Sequence, residues 1–250
     1  MCFGPTLNIV KRFSSGLAFL FFISFTLPGC SRLSQLEWGG ASSQVLEGRF
    51  RAKPPDPVLG LVSVSYHLLV LKPEKAGDRF PLLVVLHGRN GNGKDYLEVW
   101  RKEAERRRFM VLAPNRDQSY RDEVFYSLVQ EVFKHYPVEK KKTYLAGLSA
   151  GALVARWFLI ARPSFWRGAI LIASPTGDEW TAEADVSRFP PVLFVHGEKD
   201  NQFPVQKIAG HVETLKDRGV RTDLIRDPEG GHEHRPEWNE GIFDWLEKNT

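Results

Sequence analysis

The sequence predicts an α/β protein built on a doubly wound, mostly parallel sheet, and three observations predict it. Three apolar runs, Pro81–Leu86, Gly168–Ala173 and Pro191–His196, lack the polar alternation of a half-solvated strand. That is the pattern of strands buried on both faces of a parallel sheet. Segments with helical spacing lie between such runs, which implies right-handed crossovers and helices on both faces. At Thr143–Leu153 an apolar stretch turns sharply through glycines and a serine into a helical stretch. A length of 250 residues suits one domain with a substantial core.

In chain order, residues 1–29 read as a signal peptide. Lys11 and Arg12 supply a positive region and Gly16–Leu27 an apolar one, short of the roughly 20 residues of a transmembrane helix. The stretch ends in Leu27-Pro28-Gly29-Cys30. Residues 30–57, rich in Ser, Gly, Pro and charge, read as a tether with at most one short edge strand. The folded domain is expected over 58–250. Val58–Leu71 alternates and is partly β-branched, as strands do, and Pro73 with Glu74–Asp78 closes it. Pro81–Leu86 runs into His87-Gly88-Arg89-Asn90-Gly91-Asn92-Gly93, with a helix expected from near Asp95. Phe109–Ala113 is the next strand. Arg121–Tyr136 places Val124, Leu128 and Val132 beside Phe125, Val129 and Phe133 on one helical face.

Tyr144–Ala146 is the strand before the serine turn, and Ala150–Ala161 the helix after it, stopped by Pro163. After Gly168–Ala173 and Pro191–His196 come a helix over Val205–Arg218, a strand over Thr222–Arg226 and a last helix over Pro236–Lys248. The connection from Ala173 to Pro191 is too short for a large cap.

The serine turn reads Gly147-Leu148-Ser149-Ala150-Gly151. A strand, a sharp turn and a helix are the context in which G-x-S-x-G presents a nucleophile. Two glycines let strand and helix approach, and the N–H of Ala150 at the helix start can face a developing oxyanion. A serine needs a base, and the base an acceptor that holds its tautomer. Such groups sit beyond the carboxyl ends of the strands. There, Asp200 follows the strand ending at His196, with Glu198 and Asp178 as alternative acids. His232 follows the last strand in Gly230-Gly231-His232-Glu233-His234, with His234 as the alternative base. His67 and His135 are expected at the surface or an edge, His211 on a helix, and His87 and His196 in packing or loop hydrogen bonds. Trp100, Trp166, Trp180 and Phe203 are candidates for an entrance, or for core packing.

The order Ser149, Asp200, His232 is that of the α/β-hydrolases. From about residue 60 the chain resembles that superfamily without a large cap, most closely the esterases related to dienelactone hydrolase, phospholipase/carboxylesterases and polyhydroxybutyrate depolymerases. The resemblance implies a serine carboxylesterase with no metal or organic cofactor. His87-Gly88-Arg89 matches the family's H-G-x, which implies an oxyanion hole from the backbone N–H groups of Arg89 and Ala150. The same triad on amides or thioesters, or a silent binding protein on the same fold, remains open. The segment before Cys30 resembles a bacterial lipobox, with Pro28 departing from the usual small residue. It implies lipidation at Cys30 and an extracytoplasmic, membrane-attached protein; an ordinary signal peptide would make it secreted.

Composition adds little function. Removal of Lys11 and Arg12 with the signal lowers the formal charge from +4 to +2 (34 basic residues less two, against 30 acidic), so no nucleic-acid partner is expected. Arg106–Arg108 and Lys140–Lys142 are expected as solvated helix ends or strand starts. The only cysteines are Cys2 and Cys30, which excludes a disulfide framework or cysteine metal site in the folded part.

Overall fold

Six parallel strands form the centre of a nine-stranded sheet in the order β1-β2-β3-β5-β4-β6-β7-β8-β9. The computed structural model describes residues 7–8, 32–52, 61–115, 121–175 and 184–249. The elements are β1 (Leu7–Asn8), β2 (Ser43–Ala52), β3 (Val62–Leu71), β4 (Phe80–Leu86), α1 (Gly93–Arg106), β5 (Met110–Pro114), α2 (Asp122–His135), β6 (Val138–Leu148), α3 (Ala150–Ala161), β7 (Gly168–Ile172), β8 (Val192–Gly197), α4 (Val205–Asp217), β9 (Thr222–Asp227) and α5 (Asn239–Lys248). Strands β1 to β3 join antiparallel, and β5, β4, β6, β7, β8 and β9 are parallel. The signal-peptide expectation for residues 1–29, like Cys30, otherwise lies outside the described residues.

Each face of the sheet carries its own core. On one, Leu97 and Trp100 of α1 join Ile242, Phe243 and Leu246 of α5 against Val85, Ala146 and Ile170. On the other, Phe125, Leu128 and Val129 of α2, Phe158 and Leu159 of α3, and Ile208 and Val212 of α4 pack on Val84, Leu145 and Leu171. The Phe125 and Phe158 rings stack at 3.9 Å between centroids, and this pair clamps α2 to α3. Arg107 ties the end of α1 to Glu103 and, across the face, to Asp244 and Glu247 of α5.

The structure corrects the tether. Residues 43–52 are a full strand, paired with β3 from Ser43↔Leu71 to Ala52↔Val62. Its alternation is weak in sequence because Gly48 occupies an inward position. A Cβ on Gly48 would lie 2.4 Å from the Tyr66 ring, so the ring fills the space that a side chain would take. Because β2 pairs along β3, His67 is buried rather than at an edge. His135 stays near the surface beside Glu131. Trp100 and Trp166 are core residues and line no entrance; Trp180 lies outside the described residues. Strand β6 is also longer than Tyr144–Ala146. Its pairing with β4 jumps from Phe80↔Val138 to Leu82↔Thr143, so residues 139–142 bulge out and carry three lysines off the sheet.

Among the described residues, no helix is long and apolar enough to cross a membrane. Gly151 sits where a Cβ would be 2.1 Å from the carbonyl oxygen of Leu86. The Gly210 position on α4 has nothing within 4 Å. Gly151→Ala is therefore expected to lower unfolding free energy by about 3 kcal/mol or more through overpacking, whereas Gly210→Ala should raise it by about 0.4–1 kcal/mol. Urea denaturation of the two variants against wild type checks both.

Candidate active site

Strand β6 ends at Leu148, and α3 begins at Ala150. Ser149 alone makes the turn, with φ 52° and ψ −113°. A non-glycine residue at positive φ is strained by order 1–3 kcal/mol and persists only where its surroundings dictate it. Here the surroundings are backbone. The Ser149 N–H donates to Ile172 O at 2.9 Å, and its carbonyl accepts from the Leu153 N–H at 3.1 Å. A Cβ on Gly147 would lie 2.4 Å from Gly151 O, so strand and helix meet with no side chain between them. Ala173, at the adjoining end of β7, also has positive φ, at 43°.

Asp200 lies in the loop after β8 and His232 in the loop after β9, as expected. His232 Nε2 is 2.8 Å from Ser149 Oγ, and His232 Nδ1 is 2.8 Å from Asp200 Oδ2. The carboxylate fixes the tautomer: Nδ1–H donates to Asp200, which leaves Nε2 to accept the serine proton. Asp200 is held in turn. Its Oδ1 accepts the N–H groups of Gln202 at 2.8 Å and Phe203 at 2.9 Å. Burial opposes its charge, but the Phe203 N–H, His232 and the Gln202 N–H outweigh it and hold its carboxyl below the ordinary value. The His232 loop is seated by close backbone contact, since a Cβ on Gly197 would fall 2.3 Å from Gly230.

His196 makes a loop hydrogen bond, as expected, and also lies close to the acid. Its Nε2 is 2.7 Å from Phe203 O and 3.3 Å from Asp200 Oδ2. Burial lowers its pKa, and the Nε2–H donates to Phe203 O with Asp200 Oδ2 alongside. No spacing rule marks a strand-end histidine four residues before an aspartate. Glu198 instead pairs with Arg226 on the surface, and Asp178 lies outside the described residues.

His87-Gly88-Arg89 follows the end of β4. Gly88 packs against the end of β6, with a Cβ there 3.5 Å from Leu148 O. Residues 88–91 form a turn closed by Gly91 N–H donating to Gly88 O, and Asn90 has φ 64°, the pattern of a type II turn. The Ala150 N–H is at the first position of α3, where a helix has no internal acceptor for it. The Phe203 ring lies 5.3 Å from that of His232.

His234 faces away from the serine. Its Nε2 lies 2.8 Å from Asn239 Oδ1, and Asn239 Nδ2 donates to Val99 O at 2.7 Å. That orientation of the amide makes Nε2–H the donor and leaves the lone pair on Nδ1, which is shut off from solvent without a partner. The ring sits among Trp100, Tyr96 and Trp238. Burial lowers its pKa to about 4.

The comparisons with known proteins agree with this fold. A model of the prolyl oligopeptidase family matches residues 177–250, the stretch that carries Asp200 and His232. No curated protein sequence matches. Among solved structures, a ferulic acid esterase aligns with TM-score 0.67 at 16% identity, covering 84% of this chain and 98% of that one. A fluorophosphonate-binding serine hydrolase of Staphylococcus aureus, solved with substrate bound, aligns with TM-score 0.65 at 14% identity over 84% of this chain and 99% of that one. A thermostable esterase aligns with TM-score 0.62 at 22% identity; the match covers 80% of this chain and 62% of that one.

The chain has the α/β-hydrolase fold.

In this fold the two histidines of one loop have different surroundings, and burial sets His234 apart. His234 is neutral when folded and takes a proton more readily when unfolded. Its contribution is complete above the ordinary histidine value of about 6.5 and is lost as pH falls towards about 4, a change of order 3 kcal/mol. We expect the urea midpoint to drop across this window, and less steeply in His234→Gln, which keeps a donor for Asn239 without a titrating ring. His234→Ala should lower stability by about 2–4 kcal/mol through the cavity it leaves, and leave turnover of the folded fraction within severalfold of wild type.

Proposed function

We propose that the chain is a serine hydrolase that cleaves carboxylic esters through an acyl-enzyme. The observation that carries the reading is the continuous hydrogen-bonded chain from Ser149 Oγ through the His232 ring to Asp200. His232 Nε2 takes the hydroxyl proton as Ser149 Oγ attacks the ester carbonyl carbon. Asp200 keeps the ring oriented and stabilises its charged form. The oxyanion is received by the N–H groups of Arg89 and Ala150, each contributing about 3 kcal/mol to the transition state. The imidazolium then gives its proton to the departing alcohol. Water, deprotonated by His232, attacks the acyl-enzyme, and the acid leaves with Ser149 Oγ reprotonated.

The names of the similar structures favour esters. The prolyl oligopeptidase match favours a second reading, the same chemistry on an amide, and a thioester is a third acyl donor within reach of the same groups. The short connections of the sheet suit short acyl esters or esters carried on a polymer. Cys30 is proposed as the lipidated residue that holds the domain at a membrane outside the cytoplasm, at about 0.8 kcal/mol for each buried CH₂.

A fluorophosphonate probe should label wild type and not Ser149→Ala; a folded wild type that stays unlabelled would mean a silent binding protein. His232→Ala should lower kcat by about 10⁴–10⁶-fold. Rates on p-nitrophenyl acetate, a thioester and a prolyl anilide rank the three acyl donors, with the highest kcat/KM expected for the ester. Radioactive palmitate should enter wild type and not Cys30→Ser.

A further inference from the structure

Selected segments at the two ends of the sheet differ in charge. The proposed reacting groups lie at the carboxyl ends of the parallel strands. There the loops 197–204 and 227–238 hold Glu198, Asp200, Asp227, Glu229, Glu233 and Glu237 against Lys199 and Arg235. At the opposite end, segment 134–142 holds Lys134, Lys140, Lys141 and Lys142 against Glu139, and segment 162–167 holds Arg162 and Arg167 with no acid. The bulge of β6 projects the three consecutive lysines there.

The described N-terminal chain joins the fold at this basic end. Arg32 is pinned to Glu131 of α2 at 3.2 Å, and Leu36 is buried. Leu33 lines a cavity of about 680 Å³ in which Lys75, Arg79, Lys134, Lys140 and Lys141 outnumber Asp78 and Glu139. Cys30 precedes Arg32 by two residues, a reach of at most about 7.6 Å. Any membrane attachment through the segment before Arg32, by acyl chains on Cys30 or by an uncleaved apolar stretch, therefore meets the fold beside its basic cavity.

We infer that the basic end of the sheet is a platform for an anionic bilayer, with the active end held away from it. The inference rests on the reading that Cys30 or its leader attaches the protein to a membrane. Each lysine near an anionic surface contributes about 1 kcal/mol, and the acidic loops at the far end are repelled. From Thr143 to Ser149 the strand rises about 20 Å, so the serine stands at least that far from the headgroups. Its substrate then arrives from the surrounding compartment, as a soluble or polymer-borne ester, and is not a lipid of the anchoring membrane. The rival orientation would use Leu153 and Trp157, exposed on α3, to bring the active end to the bilayer.

Two single-cysteine variants of the full chain test this orientation. Ala76→Cys places a thiol in the loop before β4 at the basic end, and Lys94→Cys places one at the start of α1 at the other end. In a lipidated chain cut before Cys30, the introduced thiol is the free one; if palmitate labelling shows no lipidation, Cys2→Ser with Cys30→Ser supplies the background. The thiol is given a fluorophore, and the protein is reconstituted on phosphatidylcholine vesicles, with or without phosphatidylglycerol, carrying a short-range headgroup quencher. A chain recovered unattached is mixed with the same vesicles. The expected result is strong quenching at Ala76 and little at Lys94 on phosphatidylglycerol vesicles. The contrast should shrink at high salt and in Lys134→Gln/Lys140→Gln/Lys141→Gln, which for an unattached chain should also bind roughly a hundredfold more weakly. Equal quenching at both sites, stronger quenching at Lys94, the same contrast on neutral vesicles, or no vesicle binding by an unattached chain overturns the inference. Palmitate incorporation reports on the lipid separately, and fluorophosphonate labelling on the hydrolase, so each reading can fail alone.

Discussion

Everything at the active end depends on the closeness of three backbones: the end of β4, the end of β6 and the first turn of α3. Gly147 and Gly151 face one another, and Gly151 faces the Leu86 carbonyl, at distances that admit no Cβ. This contact leaves the chain one residue in which to turn, so Ser149 takes positive φ. Packing of α3 on the sheet by Ala152, Ala155, Phe158 and Leu159 offsets the strain. Ser149 is consequently held in place by the whole α3–β6 contact.

The other two members of the relay are held by a different kind of contact. The loops after β8 and β9 carry no strong secondary structure of their own at Asp200 and His232, and they are fixed to each other. Lys199 N–H donates to Gly230 O, and Glu198 N–H to Asp227 O, while Asp227 accepts from Trp238 Nε1 and pairs with Arg235. The Gln202 and Phe203 N–H groups donate to Asp200. The aspartate therefore has several hydrogen-bonding partners besides the histidine, which is what keeps a buried carboxylate charged.

His232 and His234, two residues apart, show how position along a loop divides one residue type between roles. One faces the serine across a partly open surface. The other enters an aromatic cluster and serves as a neutral donor to Asn239, which fastens the start of α5 to Val99 of α1. The cluster thus joins the last helix to the first beside the loop that carries His232.

Most of the architecture was legible in the residues. The apolar runs of β4, β7 and β8 marked their strands, the spacing of Val124 to Phe133 marked α2, and α3 ran from Ala150 to Ala161 as its composition predicts. Local chemistry also singled out Ser149, Asp200 and His232, because strand ends, glycines and a proline bound each of them. What it could not disclose was long-range. Strand β2 hid because its inward Gly48 is completed by the ring of Tyr66, eighteen residues on. The buried position of His67 follows from β2 pairing along the edge of its strand. The closeness of His196 to Asp200, and the difference in charge between segments at the two ends of the sheet, exist only once the chain is wound. A side chain's type and its near neighbours decide which element it joins and what reaction it can support. Which distant group fills its space or shares its proton is decided by tertiary packing alone, since those partners are far apart along the chain and meet only through the sheet.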